Sequence, residues 1–161
     1  MLIRPAQSTD ADAIWAIWCE VIASGDAFAY DETTPRDKAI DFWLTSSASC
    51  WVVEREGAVI GSYYLRPNQP GRGDHVANAG YMVARAGQGR GVGRLMGEHS
   101  IAQAARLGYR AMQFNFVIAS NTAAVHLWEQ LGFNVIGRIP AAFRHSTLGE
   151  VDALVMHRHL P

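Results

Sequence analysis

The sequence has little cysteine, no excess of charge of either sign and no long apolar run. Its 161 residues include two cysteines, Cys19 and Cys50, and neither belongs to a CxxC pair. This argues against a disulfide framework and a thiolate metal site, and it favours a reduced, cytoplasmic setting. The formal net charge of −1 argues against a general nucleic-acid binder. Because no apolar run approaches the roughly 18 residues of a membrane helix, we expect no membrane partner.

The apolar content indicates a compact fold. Hydrophobic residues make up 49% of the chain, which is enough for one domain with a sizeable core. No repeat, low-complexity tract or linker divides the sequence. We therefore expect a single domain over residues 1–161.

Periodicity and turn residues predict seven strands and four helices, an α/β (α+β) pattern with hairpins at both ends. The predicted strands are Leu2–Arg4, Trp51–Arg55, Ala58–Leu65, His75–Val83, Ala111–Val117, Phe133–Ile139 and Val151–Arg158. The predicted helices run from Asp10 to near Gly25, from Pro35 with Thr34 as N-cap, from Gly93 to near Gly108, and over Thr122–Leu131.

Three connections between these elements bear on function. Asp26–Glu32 mixes aromatic rings with acids, and it is either a loop that covers a pocket or a plain surface connection. Arg66–Asp74 holds two prolines and two glycines, which predicts a loop. Arg144–Glu150 is a polar loop that either borders an acceptor pocket or forms a hairpin tip.

A glycine-rich junction follows the strand His75–Val83. Gly87, Gly89, Gly91 and Gly93 alternate with other residues just before a segment with helical spacing. Glycines let the backbone approach a ligand, and the free N–H groups of a helix N-terminus attract phosphate. The loop matches neither the Walker A sequence nor the dinucleotide fingerprint, so it predicts a phosphate site of another kind.

Two motifs carry a resemblance to a known family. Gln88-x-x-Gly91-x-Gly93 resembles the acyl-CoA pyrophosphate loop of the GNAT superfamily of N-acetyltransferases, and the segment from Asn121 to Phe133 resembles the second GNAT signature. The resemblance covers nearly the whole chain. It implies a GNAT fold: a mixed, mostly antiparallel sheet of about seven strands, splayed at its two central strands and flanked by about four helices.

The resemblance implies acetyl-CoA as the acetyl donor. The implied cofactor-binding residues are Met82, Val83, Gln88, Gly89, Arg90, Gly91, Val92, Gly93, Arg94, Asn121 and Trp128. Backbone N–H groups from Arg90 to Arg94 would bind the pyrophosphate, with charge from Arg85, Arg90 or Arg94. Asn121 would bind the pantetheine arm, and an N–H near Met82 or Val83 would polarise the thioester carbonyl.

The sequence gives weaker evidence for the residues that would act as general acid and general base. Many GNAT enzymes have a Tyr where this chain has Trp128, and an indole cannot protonate a thiolate. A base must keep the attacking amine neutral. The candidates are His75, Asp74, Tyr81, His145 and Glu150, or ordered water. Since His126, His157 and His159 lack a third ligand at suitable spacing, we expect no metal.

Two central strands each carry one amide, Asn78 and Asn115. A narrower resemblance links them to the acceptor. It lies with the GNAT branch of the fungal acetyltransferase of azetidine-2-carboxylate, a proline analogue, and it rests on Gly25-Asp26 with the aromatic residues Phe28 and Tyr30, Asn78, Asn115, Leu127-Trp128 and the segment from Ile139 to His145. In that branch two strand asparagines contact the acceptor carboxylate. Each amide could instead hydrogen-bond a neighbouring loop.

We therefore expect direct acetyl transfer from acetyl-CoA to the amine of a small molecule such as an amino acid or its analogue. An acetyl-cysteine route is disfavoured, because Cys19 and Cys50 lie outside the two strands that form the cleft. The alternatives are a CoA-binding sensor without catalysis and an acetyltransferase of protein N-termini or lysines. Many relatives form homodimers, which makes a homodimer one expectation here.

Overall fold

The computed structural model describes residues 1–46 and 49–161. That part of the chain contains seven strands and four α-helices. The strands are β1 (Leu2–Pro5), β2 (Ser49–Arg55), β3 (Ala58–Pro67), β4 (Val76–Val83), β5 (Ala111–Ile118), β6 (Asn134–His145) and β7 (Gly149–His159). The helices are α1 (Ala11–Ser24), α2 (Arg36–Ile40), α3 (Val92–Arg106) and α4 (Thr122–Gln130). None of these helices is long and apolar enough to cross a membrane.

The strands form one sheet in the order β1-β2-β3-β4-β5-β7-β6. All neighbouring strands are antiparallel except β4 and β5. This parallel pair is joined only where Val76 faces Ala111 and Ala77 faces Met112. Beyond these residues the two strands diverge and leave a V-shaped cleft. The mostly antiparallel sheet with a splay at its centre is confirmed.

Apolar side chains cover both faces of the sheet. On one face, Ile14, Ile17 and Trp18 of α1 are buried in one cluster, because their three- and four-residue spacing puts them on one side of the helix. On the other face, Met96 of α3 and Trp128 of α4 belong to the second cluster. The cleft therefore lies between two packed layers that fix its walls.

The second helix begins later than the sequence pattern predicts. Pro35 is its N-cap, with an extended ψ of 144°, and Arg36 is its first residue. The chain enters through a turn in which Thr34 N donates to Asp31 O at 3.1 Å, and this turn leaves Pro35 extended. After α2 the chain continues in one π-helical turn over Asp41–Thr45.

Two predicted loops are partly strand. β3 extends to Pro67 because its pairing with β4 continues, with Arg66 opposite Asn78. The prediction of a loop from Arg66 is therefore wrong at its start. The β6–β7 hairpin likewise takes in most of residues 144–150. Register shifts in β6 and a left-handed Ala141, with φ 48°, interrupt the alternation that would mark a long strand.

The β6–β7 turn is attached to the end of α1. Ser146 N donates to Gly25 O at 3.2 Å, and its hydroxyl donates to Ser24 O at 3.3 Å. Gly25 has φ 65°, and a Cβ there would lie 2.6 Å from the Ser146 Cβ. Glycine at this position thus ends α1 and also admits the hairpin turn.

Candidate active site

Two connected cavities occupy the cleft between β4 and β5. The inner cavity, of about 340 Å³, lies beside Phe28, Tyr30, Tyr64, Asn78, Asn115 and Trp128. The loop cavity, of about 670 Å³, lies beside Glu20, Arg85, Gln88, Gly89, Gly91 and Val92. Both share the lining residues Ala27, Tyr81, Asn121 and Ala124. A ligand could therefore extend from the glycine loop to the diverging strands.

The glycine loop is shaped for an anion. Gly89 and Gly91 have φ of 69° and 78°, and a Cβ on either would meet no atom within 4 Å. α3 begins at Val92, so the N–H groups of its first turn have no partner within the helix. Glycine backbone, open space and free N–H donors together fit a pyrophosphate. Gln88 and Gly93 also line this cavity.

The three candidate arginines of this region differ in position. Arg85 lines the loop cavity, and its backbone N–H donates to a Glu20 carboxylate oxygen at 2.8 Å. Arg94 lies 3.6 Å from Glu98 and hydrogen-bonds the Gln130 side chain. Arg90 is exposed, and neither Arg90 nor Arg94 is among the residues that line the cavity. Of the three arginines, only Arg85 is among the residues that line the loop cavity.

The backbone N–H groups of Met82 and Val83 point in opposite directions. Ala84 N donates to Ile60 O of β3 at 3.0 Å, and Val76 O accepts from Asn68 N at 2.7 Å. Because the backbone groups of a strand alternate between its two neighbours, even-numbered residues of β4 face β3 and odd-numbered ones face β5. The Met82 amide thus pairs within the sheet, whereas the Val83 amide points into the cleft.

Asn121 and Trp128 hold the α4 side of the cleft. Asn121 caps α4, since its Oδ1 accepts from Ala124 N at 3.1 Å, and its Nδ2 remains for a ligand. Trp128 is only 8% exposed and packs 4.7 Å from Tyr81 and 4.8 Å from Phe114 between ring centroids. It lines the inner cavity and not the loop cavity.

Asn78 and Asn115 meet at the inner cavity, as the sequence predicts. Asn78 Nδ2 donates to Gln113 O at 3.0 Å, and its Oδ1 accepts from the Tyr64 hydroxyl at 3.3 Å. Asn115 Nδ2 donates to Asn68 Oδ1 at 2.7 Å. Since an amide nitrogen carries two hydrogens, each side chain keeps one N–H for a ligand.

A bulge in β5 decides which side chains face the inner cavity. The β5–β7 register shifts between Phe114 and Val117, so Asn115 and Phe116 both line the cavity although they are neighbours. Strict alternation would put them on opposite faces. The alternation assumed from the sequence therefore fails at this point, because a bulge redirects the strand.

Aromatic residues of the α1–α2 connection close the inner cavity. Phe28 and Tyr30 line it and lie against Trp18, at ring-centroid distances of 6.5 and 4.9 Å. Burial raises the pKa of both Tyr30 and Tyr64. The position of Phe28 and Tyr30 therefore agrees with the interpretation of this connection as a loop that covers a pocket, and not as a plain surface connection.

Tyr81 lies in the cleft, but its hydroxyl is engaged elsewhere. The hydroxyl is 2.7 Å from the Ser100 hydroxyl, which donates to Gly97 O. Burial raises the pKa of Tyr81 further above its ordinary value. A phenol that holds its proton so firmly is a poor base at neutral pH.

The two candidate histidines lie outside both cavities. His75 precedes β4, so the eight residues to Val83 put it about 25 Å from the cleft-facing amide at 3.3 Å per residue. His145 Nδ1 accepts from Thr147 N at 3.1 Å and Leu148 N at 3.2 Å, which fixes the hairpin turn. The structure does not bring either histidine to the site.

Known proteins resemble this chain in sequence. The model of the acetyltransferase (GNAT) family matches residues 15–133. The chain belongs to the GNAT family. The N-acetyltransferase aca1 of Schizosaccharomyces pombe is 31% identical to this GNAT protein over 157 residues, and the match covers 87% of this chain and 75% of aca1.

Solved GNAT structures share the fold. A GCN5-related N-acetyltransferase from Kribbella flavida is 45% identical with a TM-score of 0.94, and the match covers 99% of this chain and 97% of that one. The acetyltransferase yncA of Salmonella typhimurium, solved with acetyl-CoA, is 25% identical with a TM-score of 0.88, covering 100% and 94%. The predicted GNAT fold, enzyme class and acetyl donor are confirmed at the level of the family.

Sequence reasoning missed several groups at this GNAT cleft. Glu20 and Asp26 line the loop cavity, and Glu20 could have been found only by knowing that α1 faces the glycine loop. Arg66 stacks on Phe42 and Tyr64 of the inner cavity, and the prediction of a loop from Arg66 hid its pairing with Asn78. In the described part of the chain, no group of three His, Cys, Asp or Glu side chains could hold a metal ion.

Proposed function

We propose that this chain transfers acetyl from acetyl-CoA to the amine of a small carboxylate-bearing molecule, such as an amino acid or its analogue. The observation that carries the proposal is the continuity of the cleft, which has an anion-binding loop at one end and an amide-lined cavity at the other. At about 340 Å³, the inner cavity is small for a ligand site. That size favours a small acceptor over a folded protein.

Residues of this chain fit the donor along the loop cavity. The N–H groups of Gly91, Val92 and Gly93 would hold the pyrophosphate, and Asn121 Nδ2 would bind the pantetheine arm. Arg85 supplies charge at the cavity. Acetyl-CoA supplies the acetyl group as a thioester. The cleft-facing N–H of Val83, a residue that lines the loop cavity, would donate to the thioester oxygen.

Proton removal falls to solvent in this proposal. None of the residues that line the inner cavity is a histidine or a carboxylic acid, and its tyrosines have raised pKa values. Trp128 is a wall of the cavity and has no acidic proton to give. The ammonium would therefore lose its proton to water before attack. The neutral amine would then form the C–N bond, the C–S bond would break with CoA leaving as a thiolate, and the second amine proton would pass to water or to that thiolate.

The acceptor class rests on Asn78 and Asn115, whose remaining N–H groups could bind a carboxylate together. This is the arrangement expected for the branch that acts on azetidine-2-carboxylate, and we propose that the chain belongs to that branch. The experiment is an acceptor screen with amino acids, their analogues, polyamines and peptides, in which thiol release from acetyl-CoA is followed. Turnover of peptides alone would contradict the small-acceptor proposal, and CoA binding without any turnover would favour a sensor.

A charge-matched pair of variants tests the donor site. Gly91→Glu and Gly91→Gln impose the same left-handed strain at φ 78° and similar bulk. They differ in one negative charge beside the phosphates, which costs about 1–3 kcal/mol, or about 5- to 150-fold in acetyl-CoA affinity. Equal affinities of the two variants, measured by calorimetry, would contradict the pyrophosphate assignment.

We further propose a cytoplasmic homodimer. Cys19 and Cys50 are both free thiols, which suits a reducing compartment. β6 is an edge strand whose Val135, Ile136 and Ile139 are 44%, 57% and 39% exposed, and a second copy could cover them. Light scattering measures the mass. A monomer at micromolar concentration would contradict the dimer.

A further inference from the structure

Arg66 lies beside the proposed acceptor site. It faces Asn78 across the β3–β4 pair, and directly opposed residues project to the same face of a sheet. Tyr64, two residues earlier, shares this face and hydrogen-bonds Asn78. Arg66 therefore adjoins two residues that line the inner cavity.

The guanidinium of Arg66 is held between two aromatic rings. Its Cζ is 4.0 Å from the Phe42 ring centroid and 4.1 Å from that of Tyr64. Its Nη2 donates to Phe42 O at 2.7 Å. Stacking and this hydrogen bond hold the guanidinium in one position against the wall of the inner cavity, so that little conformational entropy would be lost when an anion binds nearby.

The charge of Arg66 is not neutralised by the protein. Among the described residues, no carboxylate forms an ion pair with it, and its buried Nε has no hydrogen-bond partner. Its guanidinium stacks on Tyr64, which lines the inner cavity, and its charge opposes the rise in the pKa of Tyr30 and Tyr64 that burial causes. Arg66 as a whole is half-buried, but a buried N–H donor such as its Nε is costly when it has no partner.

The inner cavity itself offers no other formal charge, since all its lining residues are neutral or aromatic. A carboxylate entering such a cavity would lose its hydration with no compensating cation unless Arg66 provides one. Arg66 does not itself line the cavity, but its guanidinium stacks on Phe42 and Tyr64, which do. Its unneutralised charge would therefore stabilise the desolvated carboxylate through space, from behind this wall.

We propose that Arg66 is a specificity-determining residue that selects acceptors with a carboxylate next to the amine. Asn78 and Asn115 orient this carboxylate, and Arg66 supplies the positive charge behind them. The inference rests on the proposed function. It predicts that a neutral acceptor of equal size is acetylated much less efficiently.

The test compares Arg66→Gln with the unchanged enzyme on matched acceptors: azetidine-2-carboxylate, proline, alanine and methionine, each beside its own carboxamide. We expect the best carboxylate to exceed its carboxamide in kcat/KM, and Arg66→Gln to reduce that ratio by about 10- to 150-fold. Arg66→Lys should restore part of it. Arg72→Gln removes the same charge from the exposed turn Gly71–Gly73 and should leave the ratio unchanged.

If Arg66 had only a structural role, Arg66→Gln would lower kcat/KM equally for a carboxylate acceptor and its carboxamide. An unchanged ratio of these two values in Arg66→Gln would therefore overturn the proposal. A preference for carboxamides in the unchanged enzyme would do the same. Unchanged acetyl-CoA affinity in each variant shows that the fold is intact. If no amine of any class is acetylated, the proposed function fails first and the inference falls with it.

Discussion

The packing of Tyr64 over Gly80 gives a sharp test of how the inner cavity is built. A Cβ on Gly80 would lie 2.5 Å from Tyr64 Cε1, 2.9 Å from its Cζ and 3.0 Å from its hydroxyl. The ring cannot move away freely, since Trp43 and Phe42 hold it at ring-centroid distances of 4.9 and 5.5 Å. Gly80→Ala must therefore displace a packed ring.

We expect Gly80→Ala to destabilise the fold by about 1–3 kcal/mol, the usual cost of overpacking. For a chain of this length the loss corresponds to roughly 3–9 °C in Tm. An alanine for glycine without such a clash would instead stabilise by about 0.4–1 kcal/mol through the unfolded chain. The matched control is Gly137→Ala in β6, where the nearest atoms would lie at 3.8 and 3.9 Å.

Urea denaturation measures the free energy of unfolding, and acceptor kinetics measure the cavity. Because Tyr64 lines the inner cavity and holds Asn78, acceptor KM should rise in Gly80→Ala while acetyl-CoA affinity stays constant. Tyr64→Leu should remove most of the cost of Gly80→Ala in the double variant. The reasoning is refuted if Gly80→Ala is as stable as Gly137→Ala, or if its cost is unchanged when the ring is absent.

Three further predictions concern stability, catalysis and pH. Asp10 accepts hydrogen bonds from Arg4 at 2.8 and 2.9 Å and from Gln7 N at 2.7 Å, so Asp10→Asn should cost about 1–3 kcal/mol at neutral pH. The hydrogen bonds from Arg4 lower the pKa of Asp10. The contribution of Asp10 to the free energy of unfolding is therefore complete above the unfolded pKa of about 4, and it disappears as the pH falls through the folded value. If the Arg4–Asp10 pair were inert, urea melts at several pH values would show a constant difference in stability between Asp10→Asn and the unchanged protein. Tyr81→Phe should lose about 0.5–1.5 kcal/mol with its Ser100 bond yet keep kcat, whereas a catalytic base would lose about 100-fold or more. With water as the proton acceptor, the pH dependence of kcat/KM should follow the pKa of each amine tested, and one inflection common to two amines of different pKa would indicate a base on the enzyme.

Local chemistry made much of this site predictable. The glycines around Gly91 and the cap at Asn121 act through nearby backbone, so their spacing alone indicates a helix N-terminus. The apolar spacing of α1 likewise follows from one helical period. These features need no knowledge of strand pairing, and the structure has them where the sequence predicts them.

Features that depend on register escaped the sequence. The bulge at Asn115 and Phe116 arises from the fit of β5 against β7, which no local pattern specifies. Arg66 becomes relevant only when β3 is seen to extend opposite Asn78. His75 is different, because the sequence spacing alone separates it from Val83 by eight residues of one strand, or about 25 Å.

The alternating backbone of β4 has a consequence for how such proteins diverge. The N–H of residue 83 points into the cleft whichever side chain that residue carries, and only proline would remove it. No other point mutation deletes this donor, and it leaves no signature for an alignment to find. The acceptor cavity is built from side chains, all of them open to replacement. Descendants of one ancestor can therefore replace the side chains of the inner cavity repeatedly while inheriting the same cleft-facing N–H.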